Sequence, residues 1–440
     1  MSISLNMKQL WQPQTLAFAV TALMISTVQA GTAEQDEIQQ LRAEVQALRA
    51  LIEQNIPAAT STPVASSVAT GSVVMPATSS VTSPILAQAA KSSESPLQLK
   101  TANGAEAKLY GFVRGDVAYQ IEGGDGIFNR INAVSLEGAK GKNATEDRLD
   151  STATTTRLGV DFSTPIQGQK VGGKVEVDFR GNKESLRVRH AYLTYNNWLM
   201  GQTTSSFLAT DLQPDMLDFG SPLGVGTART PMVRYSDKLA ENTQYFVGLE
   251  KGRDDNRLPA LTAKLKHSFA DGQGSTSVRA LVQEVRARDV GDDTEFGWGL
   301  AAGVSYNVND QLQVMGDYTH IKGDDKFLLY SNTAYNTNAA KDQVNLNESD
   351  ALSVGATYKI SPKLRSTLGY GLVLADKNSD FADLASEAEN ETLQQAWLNV
   401  MYSPVTPITL GLEYVYGERE TFNGQTGKDN RIGAMARYNF

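Results

Sequence analysis

Cysteine is absent from the 440 residues. That excludes a disulfide scaffold and every thiolate-held zinc or iron–sulfur site. Histidine is almost missing too: His190, His267 and His320 stand far apart, without the spacing of a metal site. No basic excess exists to meet a phosphate backbone, because the net charge is -9, and nucleic acid is not an expected partner. A nucleophile elbow, a Walker loop and a convincing pair of catalytic carboxylates are all lacking. The expectation is therefore no enzyme, no metal and no cofactor. After the first 30 residues, no apolar run approaches the roughly 18 residues a helix needs to cross a bilayer. If the remaining chain crosses a membrane, it does so with strands.

What is present divides into four stretches. Residues 1–30 have Lys8, the apolar run "TLAFAVTALMISTV" and the small-x-small ending "VQA" at Ala30. This is the pattern of a secretory signal peptide, and the run is short for a spanning helix. Residues 31–55 hold the one clear helical period: Ile38, Leu41, Val45, Leu48 and Ile52 recur at three and four residues. Such a seam predicts a coiled coil, with a dimer favoured by β-branched a and Leu d positions. An amphipathic helix packed on its own domain is the alternative. Residues 56–104, rich in Ser, Thr, Ala, Val and Pro with little charge, read as a disordered linker that cannot bury enough surface to order itself.

From 105 to 440 the period becomes two. "KLYGFVRGDVAY" sets Leu109, Val113, Val117 and Tyr119 on one face and Tyr110, Phe112, Arg114 and Asp116 on the other. "VGGKVEVDFRG", "WGLAAGVSY", "LRSTLGYGLVL" and "ITLGLEYVY" repeat the design. Segments of about ten residues, parted by short turns and longer polar loops, give a count of sixteen strands. The aliphatic face ends in tyrosines such as Tyr358, Tyr402, Tyr416 and Tyr438, as the girdles of a lipid-facing barrel do. The fold class expected is all-β: a 16-stranded antiparallel transmembrane β-barrel preceded by a coiled-coil helix and a flexible linker. The ending "RIGAMARYNF" alternates up to Phe440, as a strand that closes a barrel seam must.

The stretch "GQTTSSFLATDLQPDMLDFGSP" (201–222), followed by "RTPMVRYSDKL" (229–239), resembles the DcaP-like outer-membrane porins of Gram-negative bacteria. General trimeric porins are a more distant likeness. In that family the Gly-Gln pair closes strand five and opens a long third loop that folds into the pore. Thr204 stands where family members often carry Trp, which bears on how the loop is anchored. The resemblance implies homotrimers in the outer membrane, contact with its lipid and lipopolysaccharide, a periplasmic N-terminal helix, and passage of small anionic solutes such as dicarboxylates.

Residue chemistry supplies candidates for the solute path. Arg114, Arg157, Arg187, Arg189, Arg234, Arg279, Arg431 and Arg437 share the polar-face parity, as do Arg180 and Lys264. Arginine grips a carboxylate at two points and keeps its charge. Asp211, Asp215 and Asp218 in the third loop are expected to face them as an acidic wall across a constriction. Neighbouring acids such as Asp116, Glu176, Asp178, Asp317 and Glu413 are the competing partners, which would make some of these arginines scaffolding. Paired acids at 254–255, 292–293 and 324–325 offer a divalent-ion alternative to plain solvated turns. A general low-selectivity porin, a structural anchor and a barrel hydrolase are the rival functions; the hydrolase lacks a positioned Ser/His/Asp set.

Overall fold

Residues 97–440, apart from 129, 141, 289, 342 and 387, are described by the computed structural model. The signal peptide, the coiled coil and most of the linker lie outside the described residues. The described chain is a closed antiparallel barrel of sixteen strands. In chain order they are β1 (Glu106–Glu122), β2 (Arg148–Thr152 with Arg157–Ile166), β3 (Gln169–Asp178), β4 (Arg187–Tyr195), β5 (Trp198–Thr204) and β6 (Arg229–Ala240). There follow β7 (Thr243–Glu250), β8 (Ala260–Phe269), β9 (Gly274–Ala287), β10 (Asp293–Asn307) and β11 (Leu312–Lys322). The circuit is completed by β12 (Glu348–Ser361), β13 (Leu364–Ala375), β14 (Asn390–Tyr402), β15 (Ile408–Thr421) and β16 (Thr426–Asn439).

The alternation read from the sequence becomes the inside and outside of this wall. On β1, Val113, Val117 and Tyr119 are exposed, whereas Phe112, Arg114, Asp116 and Ala118 are buried toward the lumen. On β10, Phe296, Trp298, Leu300 and Val304 face out while Gly297, Gly299, Ala301 and Gly303 face in. So wide an apolar exterior is stable only against hydrocarbon, where the closed ladder also leaves no backbone group unpaired.

The seam pairs β1 with β16, Arg114 opposite Arg437 and Val117 opposite Ala434. Phe440 extends it, its N–H and carbonyl each bonding Gly111 at 3.1 Å. Below that point Gln98–Lys100 pair with Glu106–Lys108, so the paired chain begins earlier than residue 105. Composition placed these three residues in the linker; their order comes from the edge of β1 that Phe440 leaves free.

One end of the barrel has tight turns (167–168, 196–197, 241–242, 362–363), and the other bears long loops at 123–147, 205–228, 323–347 and 376–389. Three of these, here L1 (123–147), L3 (205–228) and L6 (323–347), fold inward. Ile131 and Val134 of L1, Phe207, Leu208 and Leu223 of L3, and Phe327 and Leu328 of L6 form one apolar core with the inner wall. That wall contributes Ala260, Leu281, Ala301, Ile321, Ala351, Val373 and Leu393, from β8 to β14. The sequence reading expected every inward face to enclose water. Over part of these strands the face packs against protein instead, because the loops bring apolar side chains that need apolar partners.

Candidate functional site

L3 is built to cross the lumen. Ser205 opens it with a turn, its Oγ accepting from Phe207 N–H at 3.1 Å. Ser206 N–H donates to the buried Glu250 at 2.8 Å, which fixes the entry to β7. At the exit Gly224, with φ +85°, lies so close to the wall that a Cβ would meet the Leu352 carbonyl at 2.2 Å. Only glycine accepts both the angle and the approach.

Between these points the loop docks on inward-facing glycines. A Cβ at Gly303 would meet Leu212 at 2.8 Å, one at Gly355 would meet Pro214 at 2.5 Å, and one at Gly411 would meet Leu217 at 2.4 Å. At Gly371 the Leu223 carbonyl stands 2.3 Å from such a Cβ. Gly303, Gly355, Gly371 and Gly411 are therefore the seats of the loop.

Polar anchors complete the docking. Leu217 N–H and Asp218 N–H donate to the two oxygens of Glu413 at 2.7 and 2.8 Å. The Asp215 carbonyl accepts from Trp397 Nε1 and Asn399 Nδ2 at 3.0 and 2.9 Å. Asp215 itself pairs with Arg365 at 2.9 Å, Asp218 with Arg431 at 2.6 Å, and Asp211 with Lys266. Burial pushes the Asp211 carboxyl up, but Lys264 and Lys266 outweigh it and hold it below the ordinary range. For Asp215 burial wins over Arg365, and its carboxyl is raised.

An acidic wall facing the arginines was expected and is not what the loop presents. All three loop aspartates turn toward β8, β13 and β16 and are spent on cations there. The loop crosses toward those strands, and its carboxylates follow the backbone.

The predicted arginines fall into three groups. Arg279 and Arg431, each 2% exposed, lie behind the loop, paired with Asp317 at 2.6 Å and with Asp218. Arg114, on β1, reaches the loop from the neighbouring wall: it holds Asp116 and donates to the Leu217 carbonyl at 2.6 Å. The break in β2 serves this pair, because Thr155 turns in to donate to Asp116 at 2.7 Å. Arg157, Arg187 and Arg189 form the second group, on the wall opposite the loop. Arg187 takes Asp178 with two bonds of 2.9 and 2.7 Å. Arg189 bridges Glu176 and Asp178, both at 2.9 Å, and Arg157 is 3.3 Å from Glu176. A register shift beside Val177 lets Arg187, Arg189 and His190 all reach inward, which strict alternation forbids.

Arg234 and Arg437 make up the third group, with no carboxylate partner among the described residues. Their guanidinium groups lie over Phe246 and Phe112, at 5.6 and 5.5 Å, and the Nε of each is buried without an acceptor. Arg180, over Phe128 at 4.5 Å, also lacks an ion pair among the described residues. Arg229, at the start of β6, lies within electrostatic reach of Arg187 and Arg189. Sequence parity missed Arg229, which sits where the strand gives way to loop. Arg365 was also missed, although it shares the inward parity of Gly369 and Gly371. Four of the six paired acids weighed for divalent ions are in ion pairs, Asp254 with Lys251, Asp255 with Arg288, Asp292 with Arg286 and Asp325 with Arg253, and Asp324 accepts the N–H groups of Lys326, Phe327 and Leu328. No cluster of His, Asp and Glu suited to a metal occurs among the described residues.

A lipid-facing closed barrel with a basic lumen wall and a loop folded across it is an outer-membrane diffusion channel. The family profile described as DcaP outer membrane protein matches residues 84–440, and the chain belongs to that family. It is 47% identical to the outer membrane channel DcaP of Acinetobacter baumannii over 78% of this chain and 100% of that one, with a TM-score of 0.73. OmpT of Vibrio cholerae, at 17% identity, covers 78% of this chain and 99% of its own, with a TM-score of 0.51. An anion-selective porin from Comamonas acidovorans, at 13% identity, covers 76% and 100%, with a TM-score of 0.53. The last two share the fold. No curated protein sequence matches the chain.

Proposed function

We propose that this channel passes small anionic solutes, dicarboxylates among them, in preference to cations. One observation carries the reading: the wall facing L3 has more guanidinium groups than carboxylates. Asp116, Glu176 and Asp178 serve Arg114, Arg157, Arg187 and Arg189, which leaves Arg180, Arg229, Arg234 and Arg437 without acids of their own. In a narrow passage with low-dielectric walls, such an excess concentrates anions and repels cations. A series of weak basic contacts also favours flux over capture. Arg187 and Arg189 act chiefly as scaffold for Asp178, so the unpaired arginines are the better candidates for solute contact. The homotrimer, supported by the family, and a periplasmic coiled coil from residues 31–55, supported by the heptad seam, belong to the same proposal.

Reversal potential in a salt gradient across planar bilayers tests the selectivity. An anion-directed potential is expected. A cation-directed one would refute the charge preference, and a value near zero would favour the general, low-selectivity porin.

A further inference from the structure

We propose that Phe219 of L3 sets the charge selectivity of the channel by positioning the arginines of β1, β2, β4 and the loop between β3 and β4. The inference rests on the anion-selective reading above and assigns its control to a residue that carries no charge.

The residues before Phe219 are clamped to β15, β16 and β1, the Leu217 carbonyl by Arg114. Leu217 N–H and Asp218 N–H are held by Glu413, and the Asp218 carboxylate by Arg431. The Phe219 ring itself is half-buried. Four guanidinium carbons surround it: Arg114 at 5.5 Å, Arg157 at 5.8 Å, Arg180 at 5.7 Å and Arg189 at 5.8 Å. Phe128 of L1 stands 5.9 Å from the ring and takes Arg180 on its own face. Four like charges around one side chain repel each other. The ring's negative face offsets part of that repulsion and fills the space into which the arginines would otherwise fold.

Arg180 shows what is at stake. It has no ion pair among the described residues, yet Asp178 and Asp218 are both within its electrostatic reach. With the ring in place the guanidinium stays between two aromatic faces, available to a passing anion. Without it, Arg180 swings onto a carboxylate and its charge leaves the path.

The experiment compares the full-length wild type with Phe219→Leu and Phe219→Trp in planar bilayers. Reversal potential and unit conductance are recorded together. Leu keeps bulk but has no quadrupole, whereas Trp keeps the π face. We expect Phe219→Leu to lower the anion-to-cation permeability ratio about two- to fivefold, the size of one or two lost cation–π contacts. Phe219→Trp should restore it. Unit conductance steps show that each variant has folded, and Phe219→Met serves the same comparison if Leu does not insert. A wild-type ratio retained in the Leu or Met variant overturns the inference while leaving the anion reading intact. An unselective wild type overturns both.

Discussion

Arg279 and Arg437 share a face by parity, yet they differ in what their charge can do. Arg279 is sealed behind L3 with Asp317, while Arg437 lies over Phe112 with its Nε unpartnered. Replacing Arg234 and Arg437 together by Ala should therefore lower the anion-to-cation permeability ratio at least about threefold, read as a shift in reversal potential. Arg279→Ala should leave that ratio unchanged. It strands Asp317 in a buried site and should cost about 3–5 kcal/mol of stability, visible as a lower thermal midpoint. A selectivity change of equal size in both variants would contradict this division.

The loop acids add a pH dependence. The Asp211 carboxyl lies below its unfolded value of 3.8, so its grip on Lys264 and Lys266 is complete above that value. As pH falls through the lower folded value, the carboxylate protonates and the grip is lost. Asp215 works in the opposite sense: with a raised carboxyl, its contribution is largest below pH 3.8 and fades as pH rises through the folded value. In Asp211→Asn channels, current noise from the loop should already match the level that wild type reaches only in acid. Recordings from pH 7 down to pH 3 check this.

At the scale of elements, L3 is a strap held at two kinds of point. Where it meets Gly371 there is no room for a side chain, because the opposing atom is a backbone carbonyl that cannot turn away. Gly371→Val should displace the loop and raise unit conductance. Glu413→Ala removes both acceptors of the 217–218 N–H groups, at a cost of about 3 kcal/mol, and should produce the same widening with more open-channel noise. Unchanged conductance in both would mean that the strap does not narrow the path. The presence and parity of the strands, the short turns and the position of L3 were all legible in the sequence. The direction of Asp211, Asp215 and Asp218 was not, because a loop has no period: which wall its side chains meet depends on where the backbone crosses. Nor did Leu217 or Pro214 announce their glycine seats, which lie on strands more than a hundred residues later.

The whole molecule joins two regimes within one closed wall. Strands β1–β4, β6 and β16 present charge to the lumen, while β8–β14 pack much of their inner face against L1, L3 and L6. Phe327, fully buried and edge-on to Phe207 at 6.3 Å, sits where L6 covers L3. Phe327→Ala should cost about 3–5 kcal/mol and loosen the plug, measured as a lower thermal midpoint together with higher conductance. At the seam, deleting Phe440 removes both bonds to Gly111 and exposes the edge of β1, so assembly into heat-resistant barrels should fall.

Sequence alone determined that this chain makes a lipid-facing barrel. A period of two, repeated sixteen times, has one low-energy outcome once one face is apolar and every backbone group must be paired. Local pattern suffices for that, since each strand carries its own inside and outside. Only the tertiary structure decided which inward arginines are free. Ion pairing depends on register, on the shift beside Val177 and on the path of three loops, and these bring together charges that the sequence keeps far apart.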